Sequence, residues 1–180
     1  MAEHPPSPFD PERLITVLAR HNVRYVLIGA TAARLQGFPR LTADADITPA
    51  RDRTNLTRLA AALNALHARI YTESVPAGLS FHFTAAALER GEIWNLTTDG
   101  GRLDLVFTPS GTEGFDDLER SAVTFKVFGT SVDAASLVDI LRSKEASGRP
   151  QDRQDALILR EMLQRRKKDR SQGTAVRRRS

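Results

Sequence analysis

Three aspartates carry the most specific chemical signal in this chain. Asp44-Ala45-Asp46 sets two carboxylates two residues apart, and Asp104 is the only acid in the apolar run Arg102-Leu103-Asp104-Leu105-Val106-Phe107. Side chains two apart on a strand share a face, which puts the Cα atoms of Asp44 and Asp46 about 7 Å apart, within reach of shared cations. Two carboxylates held so closely repel each other and raise one pKa, a cost that a divalent metal removes. A lone carboxylate in an apolar strand is costly to bury, so Asp104 needs a partner too. Hard oxygen donors suit Mg²⁺, or Mn²⁺, and the expected chemistry is a metal-assisted reaction at a phosphate. Asp44, Asp46 and Asp104 are then both metal ligands and catalytic groups.

Positioning such acids requires strands, and the pattern supplies them. Asp10 followed by Pro11 and Glu12 predicts a helix N-terminus, with Leu14, Val17 and Leu18 on one face and an end near His21-Asn22. Val23 to Ile28 is an apolar run without alternation, which suits a strand covered on both faces, and Gly29 closes it. A short helix over Ala30 to Gln36 and a strand over Asp44 to Thr48 follow. Leu56, Leu59, Ala60, Leu63 and Leu66 mark an amphipathic helix capped by Asp52 or Thr54, and Ala68 to Thr72 a further strand.

Asp99-Gly100 supplies the positive φ angles of a tight turn, so Ile93 to Thr97 and Arg102 to Phe107 read as a hairpin that puts Asp104 on a strand. A strand pair around Gly129 follows. Asp133 is expected to cap a helix through Leu137, Ile140 and Leu141 to Ser147. Gly148-Arg149-Pro150 breaks it, and Asp152 to Gln164 forms the last helix. The expected fold is one α/β domain with a mixed sheet, flanking helices and a helical C-terminal part, spanning 11–164. A disordered tail is expected at 1–10 and a basic disordered tail at 165–180.

Composition narrows the function. The chain has 180 residues and no cysteine, which excludes disulfides, iron–sulfur clusters and thiolate zinc sites. The four histidines have no metal-ligand spacing. Residues 1–11 are polar and proline-rich, unlike a secretory signal, and no apolar stretch approaches the roughly 20 residues of a membrane span. A cytoplasmic protein without membrane contact is expected. The net charge of +4 is unevenly placed, because eight of the 26 Lys and Arg residues fall in Arg165 to Ser180. That tail is the candidate contact for RNA phosphates.

The segments Val26-Leu27-Ile28-Gly29-Ala30-Thr31-Ala32-Ala33 and Gly37-Phe38-Pro39-Arg40-Leu41-Thr42-Ala43-Asp44-Ala45-Asp46-Ile47 together resemble the first motif of the minimal nucleotidyltransferases: apolar strand, Gly-Gly or Gly-Ser, then Asp-x-Asp. The pattern is most similar to AbiEii-type and related bacterial nucleotidyltransferases of toxin–antitoxin operons, whose third acid matches Leu103-Asp104-Leu105. Lys144-Glu145-Ala146-Ser147-Gly148-Arg149-Pro150-Gln151-Asp152-Arg153-Gln154-Asp155 is similar to the family's Lys-x-x-x-x-Arg-x-x-Asp-x-x-Asp element. The resemblance implies the nucleotidyltransferase fold and transfer of a nucleoside monophosphate from an NTP to a hydroxyl, on a tRNA or a protein.

It also implies that Gly29, Ala30 and Thr31 approach the phosphates at the start of the short helix, with Lys144, Arg149 and Asp152 around the triphosphate. Ala30 departs from the family's second Gly or Ser, and Thr31 is the nearest hydroxyl. Arg40 and Thr42, between loop and acids, are a cation and a hydroxyl available to phosphates. The implied partners are an NTP, an RNA acceptor and a cognate toxin or antitoxin. A second reading is a catalytically degenerate antitoxin or nucleotide-binding interaction protein. A third, the Asp-x-Asp-x-Thr of haloacid-dehalogenase-like phosphatases, requires four apolar residues before the first acid, which Arg40-Leu41-Thr42-Ala43 does not supply.

Overall fold

The structure, a computed structural model of the chain, describes residues 7–177, with side chains as far as 172. In chain order it contains α1 (Pro11–Arg20), β1 (Tyr25–Ile28), α2 (Gly29–Leu35), β2 (Asp44–Pro49), α3 (Arg53–Ala65), β3 (Arg69–Thr72), β4 (Val75–Ser80) and α4 (Ala85–Arg90). There follow β5 (Ile93–Thr98), β6 (Gly101–Val106), α5 (Phe115–Glu119), β7 (Val123–Val127), β8 (Thr130–Ala134), α6 (Leu137–Ser147) and α7 (Pro150–Arg177). The strands form one sheet in the order β4-β3-β5-β6-β2-β1-β8-β7. It is mixed: β2 pairs antiparallel with β1 and parallel with β6, and β1 pairs parallel with β8.

Caps explain several boundaries. The Asp10 side chain accepts from Arg13 N, Asp52 from Asn55 N and Ser136 from Asp139 N, each satisfying an amide that the first helical turn leaves open. Ser136 therefore caps α6 in place of Asp133, which lies in β8 and accepts from Thr124 Oγ1 at 2.6 Å. Asn55, 1% exposed, splices α3 to the sheet by accepting from Arg24 N and donating to the carbonyls of Arg24 and Ala50.

Three elements lack a clear pattern. β4 contains Pro76 and Gly78, which interrupt a strand signal but are tolerated because β4 is an edge strand. Helices α4 and α5 span six and five residues, too few to display a 3.6-residue period.

Both expected tails differ where they are described. Asp10 N donates to Gly100 O, and Phe9 packs against the core, so the segment just before α1 is docked on the hairpin turn; residues 1–6 lie outside the described residues. Helix α7 does not stop near Gln164 but continues to Arg177, leaving only 178–180 undescribed. Arg165, Arg166, Lys167, Lys168 and Arg170 are good helix formers, and Arg166 anchors the extension by donating to Gln36 O at 2.7 Å.

The two faces of the central strands have different fates. In β2 and β6, Ala45, Ile47, Leu103 and Leu105 are at most 5% exposed, and α3 packs on β2, α1 and α4. The alternate positions Asp44, Asp46, Arg102 and Asp104 stay partly accessible. The three aspartates open toward the group formed by α2, α6 and α7.

Candidate active site

The three aspartates meet at the centre of the sheet. β2 and β6 run parallel with Asp46 directly opposite Asp104, and Asp44 is two residues before Asp46 on the same face. All three line one cleft of about 760 Å³, together with residues of α2, α6 and α7. The row continues outward: Asn95 of β5 lies opposite Asp104, and Ile28 of β1 opposite Asp46.

Gly29 shapes the floor of the cleft. It stands where β1 turns into α2, with φ +64°, and a Cβ built there would run into the Asp46 carboxylate. Glycine thus does two things here: it permits the left-handed backbone and leaves the space that Asp46 occupies. Gly29 and Ala30 line the cleft, while Thr31 does not. The Thr31 hydroxyl instead donates to Asp44 O at 2.7 Å and ties α2 to the start of β2. Thr42 does reach the acids, donating to Asp44 Oδ1 at 2.5 Å.

The opposite wall is a network of cations and acids. Lys144 of α6 donates to Asp152 Oδ1 at 2.9 Å and Asp155 Oδ2 at 2.8 Å, which uses two of its three N–H donors. Arg149 Nε donates to Asp152 Oδ2 at 2.9 Å, and Ser147 hydrogen-bonds the same carboxylate. Arg40 donates to Asp155 Oδ1 at 2.6 Å and so clasps the loop before β2 onto α7. Asp155 is 2% exposed and is the hub of this wall. Its signal is present in the sequence, as the last acid of the Lys-to-Asp element. Lys144, Arg149 and Arg40 balance Asp139, Asp152 and Asp155 in number, so the wall is close to neutral while the floor opposite it is acidic.

Charge on the floor is unbalanced. Burial, then Asp44 and Asp104, push the Asp46 carboxyl from 3.8 up to about 7, against the opposing pull of Lys144 and Arg149. Burial also raises Asp104, although Arg102 beside it draws it down. Burial would lower Lys144, but its hydrogen bonds to Asp155 and Asp152 prevail and hold it above the usual lysine value. Asp152 is also desolvated, yet Ser147 and Lys144 keep it below the usual carboxylate range.

Oxygen donors with excess negative charge are what a hard divalent cation requires, and Asp44, Asp46 and Asp104 fit that description. Among the described residues, however, no group of three or more acidic or histidine side chains is already arranged to hold a metal ion. Asp104 is engaged by Arg102, whose Nη2 donates to Asp104 Oδ1 at 3.2 Å. Asn95, which lines the cleft, and Arg102, which contacts Asp104 from outside the cleft lining, both lie beyond the motifs. Both positions are nevertheless legible, because the Asp99-Gly100 turn pairs Thr98 with Gly101 and hence Asn95 with Asp104.

No known family model matches the chain, and no curated protein matches it. Its fold does match solved structures. The antibiotic-resistance factor ANT(2'')-Ia is 16% identical, with 94% of each chain covered and a TM-score of 0.52. A proposed nucleotidyltransferase from Thermotoga maritima is 17% identical over 88% of this chain and 97% of its own, with a TM-score of 0.47. An antigenic nucleotidyltransferase-like protein from Paracoccidioides brasiliensis is 19% identical over 85% and 78%, with a TM-score of 0.45. The mixed sheet with flanking helices is thus the nucleotidyltransferase fold, and at these identities the likeness speaks to fold alone. Among the described residues no helix is long and apolar enough to cross a membrane.

Proposed function

We propose that the chain transfers a nucleoside monophosphate from an NTP to a hydroxyl acceptor. The observation that carries this reading is the in-register placement of Asp46 and Asp104, with Asp44 beside them, across a cleft from Lys144 and Arg149. The acceptor oxygen bonds to the α-phosphorus, the bond to the β-phosphate oxygen breaks, and pyrophosphate leaves. Lys144 and Arg149 stabilise the triphosphate and its leaving half, and Arg40 and Thr42 hold the loop that closes one side. Asp104, beside the more exposed Asn95, accepts the acceptor's proton. Mg²⁺ or Mn²⁺, held by Asp44, Asp46 and Asp104, supplies charge neutralisation between the acids and the phosphates.

RNA is the acceptor class that charge favours. Arg165, Arg166, Lys167, Lys168 and Arg170 crowd one stretch of α7, and Arg166 fixes that stretch to the end of α2 beside the loop lining the cleft. Arg165→Gln with Lys167→Gln and Lys168→Gln should lower the salt slope of RNA binding by about two to three, and an unchanged slope would remove the argument for RNA. The resemblance to AbiEii-type proteins extends the proposal to the toxin of a toxin–antitoxin pair. Expression should then arrest growth, and Asp46→Ala should not.

The direct test supplies α-phosphate-labelled NTPs, total RNA and Mg²⁺ to purified protein. Labelled RNA is expected from the wild type and none from Asp46→Ala. The Arg102–Asp104 contact gives specific support to one rival, a degenerate nucleotide-binding antitoxin, because it occupies the third acid. That rival predicts saturable NTP binding by calorimetry with no label transferred to any acceptor.

A further inference from the structure

Arg102 has no part in the steps above, yet it borders the acid cluster on the β5 side and contacts one of its members, Asp104. It lies opposite Asp44 in the β2–β6 register and two residues before Asp104, on the face that carries all three aspartates. Its guanidinium is held from two directions. Nη2 donates to Asp104 Oδ1 at 3.2 Å, and the group lies over the Tyr71 ring with its carbon 3.5 Å from the centroid. Its Nε is buried with no hydrogen-bond partner among the described residues, and the side chain is 28% exposed against 17% for Asp104.

Fixing an arginine costs rotamer entropy, and a partly exposed ion pair returns little of it. The arrangement is understandable if the countercharge itself is what the cluster needs. Three acids share this face, and Asp104 would otherwise be buried beside Asp44 and Asp46 with no cation in contact. Stacking on Tyr71 keeps the guanidinium at that place without a second carboxylate, consistent with the weak hydration of arginine.

We propose that Arg102 is an internal counter-cation for Asp104, a positioning residue that occupies this carboxylate in the metal-free cleft and is displaced from it when a divalent cation binds. The inference rests on the nucleotidyl-transfer reading, which assigns Asp104 as a metal ligand. The exchange is an ion-pair rearrangement: the Asp104 oxygen leaves the Arg102 N–H and turns to the cation, while the guanidinium remains stacked on Tyr71. Metal affinity is thereby reduced, because each binding event must break the Arg102 contact. In return the empty cleft is spared an uncompensated acid.

The test is Mn²⁺ binding to the chelator-treated full chain, followed by the electron paramagnetic resonance signal of free Mn²⁺, with no nucleotide present. Arg102→Gln is expected to bind Mn²⁺ about ten-fold more tightly than wild type, the scale of one charge-assisted hydrogen bond no longer competing. In an Asp104→Asn background the same substitution should gain less than about two-fold, since the contact it relieves is already lost. Without metal, Arg102→Gln should melt at a lower temperature than wild type and recover more on adding Mn²⁺. If Arg102→Gln does not fold, Arg102→Lys carries the test: it lacks the planar stack and should tighten binding about three-fold.

Unchanged or weaker Mn²⁺ binding on substituting Arg102 would overturn the inference, as would an equal gain in the Asp104→Asn background. Wild-type protein lacking any Mn²⁺ binding sensitive to Asp46→Ala would instead overturn the proposed function itself.

Discussion

Asp46 should make the metal-free protein less stable as the pH rises, and replacing it by asparagine should remove the effect. Its carboxyl titrates near 7 in the folded chain against an ordinary 3.8, so the native state binds this proton more tightly than the unfolded state. Below about pH 4 both states are protonated and Asp46 costs nothing. Through the window from about 4 to 7 the unfolded state has released a proton that the native state keeps, so the relative cost of the native state grows with pH and is complete above 7.

The difference between 3.8 and about 7 sets a ceiling of about 4 kcal/mol. The cost accrues evenly across the window, so rather more than half of it is recovered on acidification from pH 8 to pH 5. The assay is urea unfolding with chelator present at intervals from pH 5 to 8, comparing wild type with Asp46→Asn. The variant should be the more stable at pH 8, by up to about 4 kcal/mol, and the gap should narrow to less than half of that at pH 5. Adding Mg²⁺ at pH 8 should stabilise the wild type and leave the variant nearly unchanged. Parallel stability curves for the two proteins across that range would refute the reasoning, because Asp46 would then not be held against its charge.

Gly29→Ala should cost about 1 to 2 kcal/mol from the positive φ alone, and the new Cβ should displace the Asp46 carboxylate. Nucleotide transfer should fall about 100-fold with the helical signal by circular dichroism intact. Asp155→Ala leaves Lys144 and Arg40 without their shared partner and should lower the unfolding free energy by about 3 kcal/mol, whereas Asp155→Asn should recover part of it. Asn55→Ala, remote from the cleft, should cost about 2 to 3 kcal/mol in urea unfolding while the Mg²⁺-dependent stabilisation at pH 8 persists.

Most of the scaffold was legible because its signals are local. Asp10 and Asp52 as caps, Gly29 closing an apolar run and Asp99-Gly100 as a turn each depend on a few adjacent residues, and each fell where expected. The limits of this reading were also physical. Asp133 and Ser136 are both competent caps, and only the length of β8 selects between them. The basic stretch after Gln164 has the composition of a solvated tail, but an anchor at Gln36 more than a hundred positions away extends the helix through it.

Sequence by itself determined that two carboxylates would share a strand face and that a third would sit in an apolar hairpin strand, because alternation along a strand is a property of the backbone. It also determined a glycine ahead of them and a lysine, arginine and acid series behind. That β2 and β6 are parallel neighbours in a register that puts Asp46 against Asp104 was decided by the tertiary structure, since strand order depends on how the helices cover the sheet. The same packing turned the Thr31 hydroxyl to a backbone carbonyl, made Asp155 the hub of the opposite wall and brought Arg102 between Asp104 and Tyr71. Residue spacing along a chain fixes which side chains share a face; only closure of the sheet fixes which faces meet.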